Sequence, residues 1–420
     1  MRWRSIVLAA ILVVVRLLAV WGQTGAALSI DEAWTAPFLI SSEDGSAVLL
    51  ALVTDGIAVD ESSVHAVWVS GCSPGNNDVY YRRSDDGGDH WGEPQRLTFI
   101  ENGVAEASVE AVGENVYVTW TDPRYCEDGS VFFKYSHDRG ETWSEDVLLS
   151  PSDVRSAAPE IALDGDSIYV VWEHYGEGSG HSRLRRSTDG GVHWDEPVDV
   201  THDILSGGCP SLVPGANHKL HLAYCTREHA AETRNYNWEL YYTQSLDGPE
   251  AWSNGVRLTD DVNGDSRYPV IAVSGEYIHM IWYDDRDDTK YPHYGYPPIY
   301  PEDDHNFEVY YKRSCDGGQS WGADTRLTVA EGVALETKIG VWGANVYVVW
   351  MDNRDGDYDI YEMYSADNGS TWSAGSPIIN DRALSKSPSI DLDDDGTVCV
   401  IWADNHSGTM EVYFAKRPRG

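Results

Sequence analysis

An octapeptide of the form Ser-x-Asp-x-Gly-x-x-Trp recurs along the chain, and this repeat restricts the fold more than any other feature. Five copies are complete, and a sixth has Pro249 in place of the glycine. Successive copies are separated by roughly 50 to 70 residues, a spacing expected of the sheets of a β-propeller. The copies begin at Ser84, Ser136, Ser187, Ser245, Ser314 and Ser365.

The residues around each octapeptide predict a sheet of four short strands. Around the third copy, segments 159–163 and 167–172 come first, segment 182–186 leads into the octapeptide, and segment 197–200 follows it. The second of these segments is rich in β-branched and aromatic residues, which is typical of strands buried on both faces. Four short strands joined by tight turns make one blade of a propeller.

The second strand of the blade recurs seven times, first at 64–68 and last at 398–402. The last unit has no octapeptide and ends one strand short, while segment 34–41 is similar to the strand that follows the octapeptide elsewhere. Closing the ring with this N-terminal strand would remove the exposed edges of an open array. The sequence therefore predicts an all-β, seven-bladed β-propeller of four-stranded antiparallel blades, with a six-bladed ring as the alternative.

The N-terminal segment and the charge set expectations about location and partners. Residues 1–27 have the basic start, apolar run and small terminal residues of a cleaved secretory signal peptide. We therefore expect residues 28–420 to form one monomeric propeller domain, secreted or at the cell surface, without stable membrane insertion. The formal charge of -38, from 68 acidic and 30 basic residues, disfavours nucleic acid and anionic membranes as partners. An extracellular glycan or surface protein is the expected partner.

The octapeptides resemble the Asp-box, or BNR, repeats of sialidases and related propellers. In that family the boxes are structural, since the Ser hydroxyl and Asp carboxylate bond the backbone of a tight turn that Gly permits. Pro249 cannot adopt a positive φ, so the fourth turn should differ. The resemblance assigns structural roles to Asp86, Asp138, Asp189, Asp247, Asp316 and Asp367.

The same resemblance places function on the rim opposite the boxes, where second strands end. The Asp of one such segment is the acid/base in sialidases, which implies this role for Asp284, and Arg267-Tyr-Pro269 resembles an Arg-Ile-Pro that opens the same blade. Arginine forks suit a sugar carboxylate. The alternative is that the Asp and Arg of each segment form a structural ion pair that caps the loop and recurs because the blade recurs. The repeated Asp-x-Arg segments are Asp122 with Arg124, Asp284 with Arg286, and Asp352 with Arg354.

A long segment, 283–308, interrupts the fifth blade and supplies Tyr291 and Tyr294 as further ligand-binding candidates. Long loops in compact folds are often functional, and sialidases use Tyr as the nucleophile. Sialidases have six blades, however, and the rest of their catalytic set cannot be traced in this chain. We therefore expect a recognition module for glycans or cell-surface partners, with a sialidase-like exo-glycoside hydrolase as the alternative.

Calcium is a further hypothesis, although no cofactor is required by either function. Asp391, Asp393 and Asp395 have the alternating oxygen ligands of a cation loop, but Trp402 stands where such a loop has Glu. Solvated acidic turns are the alternative explanation in so acidic a chain.

The cysteines give two candidate disulfides. Cys209 and Cys225 flank a predicted hairpin that turns near residues 215–218, so they should face each other. Cys72 and Cys126 follow the second strands of neighbouring blades. Buried free thiols are the alternative for both pairs.

Overall fold

Seven β-sheets follow one another along the chain and close into a ring. The computed structural model describes residues 33–41, 53–71, 77–176, 180–201, 207–229, 236–246, 248–260, 264–288, 306–329 and 332–418. Within these ranges the regular structure is β, apart from one 3-10 turn at Ala216–His218. Each first strand contacts the first strands of both neighbouring blades, and the last contacts the first of the ring. The predicted seven-bladed all-β propeller is therefore confirmed.

In each sheet the first, second, third and fourth strands pair in that order, with the first strands toward the centre of the ring and the fourth strands outside. First strands are β3 (Ile57–Asp60), β7 (Ala105–Val112), β11 (Ser156–Asp164), β15 (Gly207–Pro214), β19 (Ser266–Ser274), β23 (Ala334–Trp342) and β27 (Ser385–Leu392). Second strands are β4 (Ser63–Gly71), β8 (Asn115–Asp122), β12 (Ser167–His174), β16 (Leu220–His229), β20 (Tyr277–Asp284), β24 (Asn345–Asp352) and β28 (Val398–Asp404).

In the six blades that carry the octapeptide, it connects the third strand to a fourth strand of two residues. Third strands are β5 (Asn77–Ser84), β9 (Ser130–Ser136), β13 (His181–Ser187), β17 (Tyr236–Gln244), β21 (Glu308–Ser314), β25 (Asp359–Ser365) and β29 (Glu411–Arg417). Fourth strands are β6 (Gln95–Arg96), β10 (Val147–Leu148), β14 (Val198–Asp199), β18 (Val256–Arg257), β22 (Thr325–Arg326) and β26 (Ser376–Pro377).

The N-terminal strand completes the last blade, as predicted. Strand β1 (Phe38–Leu39) pairs with β29, so that Phe38 lies opposite Phe414 and Leu39 opposite Tyr413. A further strand that the sequence did not predict, β2 (Val53–Asp55), adds in parallel to β7. The first and last parts of the described chain are thus held in one closed ring.

The core lies between neighbouring blades and is built from the second strands. These strands are buried along nearly their whole length, as their β-branched and aromatic composition predicted. Six of them carry a tryptophan that is at most 2% exposed, and each packs against the side chains of the next or preceding blade. The six are Trp68, Trp120, Trp172, Trp282, Trp350 and Trp402.

The Asp boxes pin the turns on one face of the ring. In the second box Ser136 Oγ accepts a hydrogen bond from Gly140 N–H at 2.8 Å, and Asp138 Oδ1 accepts one from Thr142 N–H at 2.8 Å. The hydrogen bonds from Thr142 also lower the pKa of Asp138 to about 2. Arg139 N–H donates to the carbonyl of Glu114 in the β7–β8 turn, so the box lies where first strands end. The second strands consequently end at the opposite face.

The fourth box turns differently, as Pro249 requires. Ser245 Oγ accepts its hydrogen bond from Leu220 N–H at 2.9 Å rather than from a glycine of the box. Leu246 N–H closes the turn on the carbonyl of Ala251 at 2.7 Å. Asp247 lies outside the described residues.

Candidate functional site

A cavity of about 380 Å³ lies in the central channel of the ring. Its walls come from the first strands of six blades, β7, β11, β15, β19, β23 and β27, together with the last residues of β12 and β20. The contributing residues stand near the beginnings of the first strands, which places the cavity toward the face opposite the Asp boxes. This is the face on which the sequence predicted function.

A β-bulge near the beginning of each of these six first strands forms the cavity wall. The register of the strand pair shifts there in all six blades. One residue of each bulge has a positive φ between 50° and 55°, although none is glycine. We call these six residues the bulge ring: Glu106, Ala158, Cys209, Tyr268, Glu336 and Ser387.

The backbone of the bulge ring is strained at each of its six residues. A left-handed conformation costs a non-glycine residue roughly 1–2 kcal/mol. Such residues persist only where surrounding structure determines them, and they cluster at functional sites. All six members line the cavity. Six of the eleven non-glycine residues with a positive φ in the described ranges therefore lie on the wall of this cavity.

Carboxylates of neighbouring blades hold three of the bulges in place. Glu106 Oε2 accepts a hydrogen bond from Ala158 N–H at 2.7 Å, and Glu336 Oε2 accepts one from Ser387 N–H at 2.6 Å. Glu173 Oε1 accepts the corresponding bond from Cys209 N–H. In each case a carboxylate of one blade fixes the bulge of the next blade along the chain.

The cavity is acidic. Glu106, Glu160, Glu173 and Glu336 line it, and Lys338 is the one lysine or arginine that lines it among the described residues. Burial, followed by repulsion from Asp55, raises the pKa of Glu160 to about 8. Burial likewise raises the pKa of Glu173 and Glu336. Some of these groups therefore hold a proton at neutral pH and can donate a hydrogen bond.

A stacked pair of tyrosines forms the aromatic part of the wall. The rings of Tyr268 and Tyr283 are 5.1 Å apart between centroids and are inclined by 23°. Tyr268 is 51% exposed, but the space that it faces is the channel. The proximity of Cys209 and burial raise the pKa of Tyr268, so both phenols are neutral. An exposed aromatic face with a polar edge is a surface on which a sugar ring can stack.

The structure places the predicted acid/base, Asp284, at the end of β20 and not in the cavity wall. Its side chain is 0% exposed and accepts hydrogen bonds from Ser266 Oγ at 2.6 Å and Trp282 Nε1 at 2.9 Å. Arg286 donates to it from the main chain at 3.0 Å and from the guanidinium. Asp284 therefore caps the end of β20 by accepting hydrogen bonds from the strand and from the loop that follows it. We call this arrangement a strand-exit cap.

The same cap recurs at the other two predicted Asp-x-Arg segments. Trp120 Nε1 donates to Asp122 and Trp350 Nε1 donates to Asp352, at 2.9 and 2.8 Å. Arg124 pairs with Asp122 and with Asp146, while Arg354 pairs with Asp352. None of the three arginines lines the cavity within the described ranges.

Arg267 lies beside the cavity without entering its wall. It is 7% exposed, pairs with Asp265, and its guanidinium lies 5.5 Å from the ring centroid of Trp238. Its two neighbours in the predicted Arg-x-Pro motif, Tyr268 and Pro269, do line the cavity. The motif thus marks the site, although its arginine does not face it.

Other candidates lie elsewhere. Tyr291, Tyr294 and Cys72 are outside the described residues. Cys126, Cys209 and Cys225 are thiols in the structure. The predicted Cys209–Cys225 bond is not formed, yet the two thiols are within hydrogen-bonding range of each other. Their pairing stays a prediction.

Two of the three aspartates of the predicted calcium loop, Asp391 and Asp393, accept hydrogen bonds from the backbone through their side chains. Asp391 Oδ2 accepts a hydrogen bond from Val59 N–H at 2.7 Å. Asp393 Oδ1 accepts bonds from Asp395 N–H and Thr397 N–H at 3.0 and 2.7 Å. These contacts describe an acidic turn, and calcium binding there stays a prediction.

One cluster with metal-ligand chemistry occurs within the described ranges, and it is a different one. Ligand atoms of Asp381, Asp404 and His406 lie within 4.8 Å of one another. His406 Nδ1 is 2.9 Å from Asp404 Oδ1, and its main-chain N–H donates to the same carboxylate. His406 thereby occupies the place that arginine has in the other strand-exit caps.

The bulge ring was not predicted from the sequence, although one signal was available. Proline follows the ring residue in four of the six blades, at Pro159, Pro210, Pro269 and Pro388. Proline within a sheet marks edges and bulges. Its recurrence at one position of the innermost strands therefore indicated an irregular strand facing the channel.

No helix in the described part of the chain has the length and apolar character needed to cross a membrane.

Several solved structures share this fold. A polysaccharide lyase of family PL25, an ulvan lyase bound to -[GlcA(1-4)Rha3S]-, superposes with a TM-score of 0.65 at 12% identity, covering 90% of this chain and 95% of the lyase. The polysaccharide lyase Uly1 gives 0.60 at 10% identity, with 92% and 99% covered. A protein of unknown function from Dyadobacter fermentans gives 0.55 at 13% identity, with 93% and 99% covered. At these identities the likeness establishes the fold.

A search of curated proteins found no match. The family model described as a BNR repeat-like domain matches residues 31–280, which include the first four blades and the beginning of the fifth. The recurring boxes, the seven blades and this match agree, and the chain belongs to the BNR repeat-like domain family.

Proposed function

We propose that this protein is an exported glycan-binding propeller whose ligand occupies the channel cavity. The observation that carries the proposal is the Tyr268–Tyr283 pair, which presents an open aromatic face to a cavity surrounded by carboxyl groups. Few ligands other than sugars combine an apolar ring face with a dense periphery of hydrogen-bonding groups. A concave, partly apolar pocket with convergent polar groups is the usual form of a small-ligand site.

The size and position of the cavity support this proposal. About 380 Å³ lies at the lower end of the range of typical ligand pockets, roughly 300–1,000 Å³. The ulvan lyase of the same fold is bound to a polysaccharide repeat. A propeller of this shape is therefore compatible with a sugar chain as ligand, whether or not chemistry follows.

Binding of a sialic acid or uronic acid is less well supported than binding of an uncharged or cationic sugar. A sugar carboxylate needs paired cationic donors. The rim arginines at 124, 286 and 354 are instead paired with aspartates, and four glutamates face the cavity. This arrangement favours a recognition module over a sialidase.

A neutral-sugar glycoside hydrolase is the second candidate, because of Glu160. Glycoside hydrolysis uses a carboxylic acid with a raised pKa together with a second carboxylate. The pKa of about 8 keeps Glu160 protonated at neutral pH, and Glu106 and Glu173 line the same cavity. Release of a chromophore from a panel of neutral aryl glycosides, and its loss in Glu160→Gln, would support this candidate. A panel without turnover would favour binding alone.

Calorimetric titration of the purified mature protein with neutral oligosaccharides tests the main proposal. The decisive variant is Tyr268→Ala, which removes the stacking face and should weaken binding about tenfold, since aromatic contacts contribute roughly 0.5–1.5 kcal/mol. Tyr125→Ala is the matched control, because Tyr125 is 62% exposed on the same face but outside the cavity wall. Equal loss in both variants, or no binding of any glycan, would reject the channel as the binding site.

A further inference from the structure

The charges around the channel bear on the kind of sugar that fits it, given the glycan-binding function proposed above. Carboxyl groups reach the cavity from three blades, through Glu106 on β7, Glu160 and Glu173 on β11 and β12, and Glu336 on β23. The one lysine in the wall, Lys338, donates to Asp55 Oδ1 at 2.9 Å. Its charge is therefore compensated within the protein.

The acidic lining continues beyond the cavity wall toward the box face. Glu110 and Asp391 stand on the first strands β7 and β27, further along the chain than the bulges. Burial, then the charges of Asp391, Asp55 and Glu160, raises the pKa of Glu110 well above its usual value. Burial raises the pKa of Asp391 to about 7. Repulsion between ionised carboxylates is part of the cause of the raised pKa of Glu110, so a cation in the channel would stabilise the ionised, negatively charged form of these groups.

An unpaired hydroxyl provides independent evidence for a polar ligand. Thr337 lines the cavity and is 3% exposed, yet its Oγ1 has no hydrogen-bond partner among the described residues. A buried hydroxyl without a partner costs roughly 1–3 kcal/mol. A polar ligand that reached this oxygen through a change of the Thr337 rotamer would satisfy it.

A bare metal ion is a poor match for this lining. Metal binding needs several ligand atoms gathered closely around one point. In the part of the chain that the structure describes, the one group gathered within 4.8 Å is Asp381, Asp404 and His406, which is not in the cavity wall. An ammonium group has several N–H donors that can bond separated acceptors, and the ring that bears it could stack on Tyr268.

We propose that the channel cavity selects a cationic amino sugar, in which a free, unacetylated amino group lies among Glu106, Glu160, Glu173 and Glu336 while the sugar ring stacks on Tyr268. Selection rests on charge, because acetylation removes the positive charge and adds bulk. An anionic sugar of the same size would meet the same carboxylates as a repulsive surface.

Calorimetric titration with four trimers tests this inference. The probes are the trimers of glucosamine, N-acetylglucosamine, glucose and galacturonate, at low and at moderate salt. We expect the glucosamine trimer to bind at least tenfold more tightly than the glucose trimer, with a preference that weakens as salt rises. The galacturonate trimer should not bind.

Two variants identify the groups responsible. Glu336→Gln removes an ionisable carboxyl group but keeps an amide oxygen that can accept the Ser387 N–H bond, so it should reduce the preference for the glucosamine trimer over the glucose trimer several-fold. Glu127→Gln, at an exposed residue of the same face outside the cavity, should change neither.

The outcomes separate the two proposals. Glucose or N-acetylglucosamine trimers that bind as tightly as the glucosamine trimer would overturn the charge selection and leave the glycan-binding function standing. Preferred binding of galacturonate would also overturn it. Absence of binding by all four trimers would reject both.

Discussion

Glu106 Oε2 accepts a hydrogen bond of 2.7 Å from the main-chain N–H of Ala158, and this bond joins the second blade to the bulge of the third. The same oxygen accepts a bond from Thr121 Oγ1 at 2.9 Å, so the carboxylate is fixed from both sides. Ala158 has a φ of 51°, and its N–H would otherwise lack this acceptor. The bulge ring is thus held by side chains of neighbouring blades as well as by its own strands.

We predict that Glu106→Ala lowers the free energy of unfolding by about 1 kcal/mol, because it removes a part-buried hydrogen bond to the Ala158 N–H. Glu106→Gln should lose less, because the amide oxygen can still accept the bond. Chemical denaturation measures both, with Glu114→Ala, at an exposed turn residue of the same blade, as the control. A loss in Glu114→Ala as large as in Glu106→Ala would show that the inter-blade bond contributes nothing.

The glycine of the second Asp box should tolerate no side chain. Gly140 has a φ of 82°, and a Cβ atom there would lie 2.4 Å from Tyr81 Oη of the preceding blade. Tyr81 cannot move aside freely, since its hydroxyl is 2.7 Å from His65 Nδ1. Gly140→Ala should therefore cost both the left-handed strain, about 1 kcal/mol, and a packing penalty of about 1–3 kcal/mol.

Gly113→Ala separates these two costs. Gly113 has a φ of 60°, but a Cβ atom there would meet nothing within 4 Å. Only the strain should remain, so this variant should unfold at higher denaturant than Gly140→Ala. Equal midpoints for the two would mean that the Cβ atom added at position 140 is accommodated beside Tyr81 without a packing penalty.

The sequence predicted the blades well because their determinants are local. A box such as Ser136 to Trp143 carries its own turn chemistry, and the strand before Trp120 carries its own burial pattern. Closure by segment 34–41 was predictable for the same reason, since that segment is similar to strands in the other blades. The number of sheets was predictable because the second strand recurs seven times along the chain.

The site was harder to predict because it arises from contacts between blades. Glu106 and Ala158 are distant in sequence, and neither belongs to a recognisable motif. The Asp-x-Arg pattern of Asp284 and Arg286 recurs at two other strand ends, and this recurrence suggested a functional site. In the structure these residues cap the ends of the strands instead. Only Tyr268 and Pro269 connected a sequence motif to the cavity.

The buried carboxyl groups of the channel predict that stability declines above mildly acidic pH. The pKa of Glu160 rises from 4.5 to about 8 on folding, and that of Asp391 from 3.8 to about 7. The folded state holds these protons more tightly, so stability present below the unfolded pKa is lost as pH rises through the folded pKa. Four buried histidines have the opposite effect, because burial lowers their pKa from 6.5 to about 4 and stability is lost as pH falls below the unfolded value: His65, His174, His221 and His279.

We therefore expect the highest Tm between about pH 5 and 6.5, falling by at least about 3 °C by pH 8. Scanning calorimetry from pH 4 to 9 measures this profile. Glu160→Gln should raise the Tm at pH 8 and change it little at pH 5, because glutamine carries no charge in either state. A wild-type Tm that rises steadily from pH 5 to 8 would contradict the protonation of these groups in the folded protein.

The last prediction decides between the two interpretations of Asp284. Asp284 and Asp122 have the same surroundings, since each is at most 1% exposed and accepts bonds from a tryptophan indole and from an arginine two residues later. Asparagine in either place would remove the charge that balances the arginine, at a cost of about 3 kcal/mol.

If both are strand-exit caps, Asp284→Asn and Asp122→Asn should lose similar stability, and both should retain ligand binding and any glycosidase activity below their Tm. If Asp284 is an acid/base, Asp284→Asn alone should abolish turnover while it remains folded. Measuring turnover and unfolding on the same two variants distinguishes these cases, because a cap acts through stability and an acid acts through a proton delivered to the substrate.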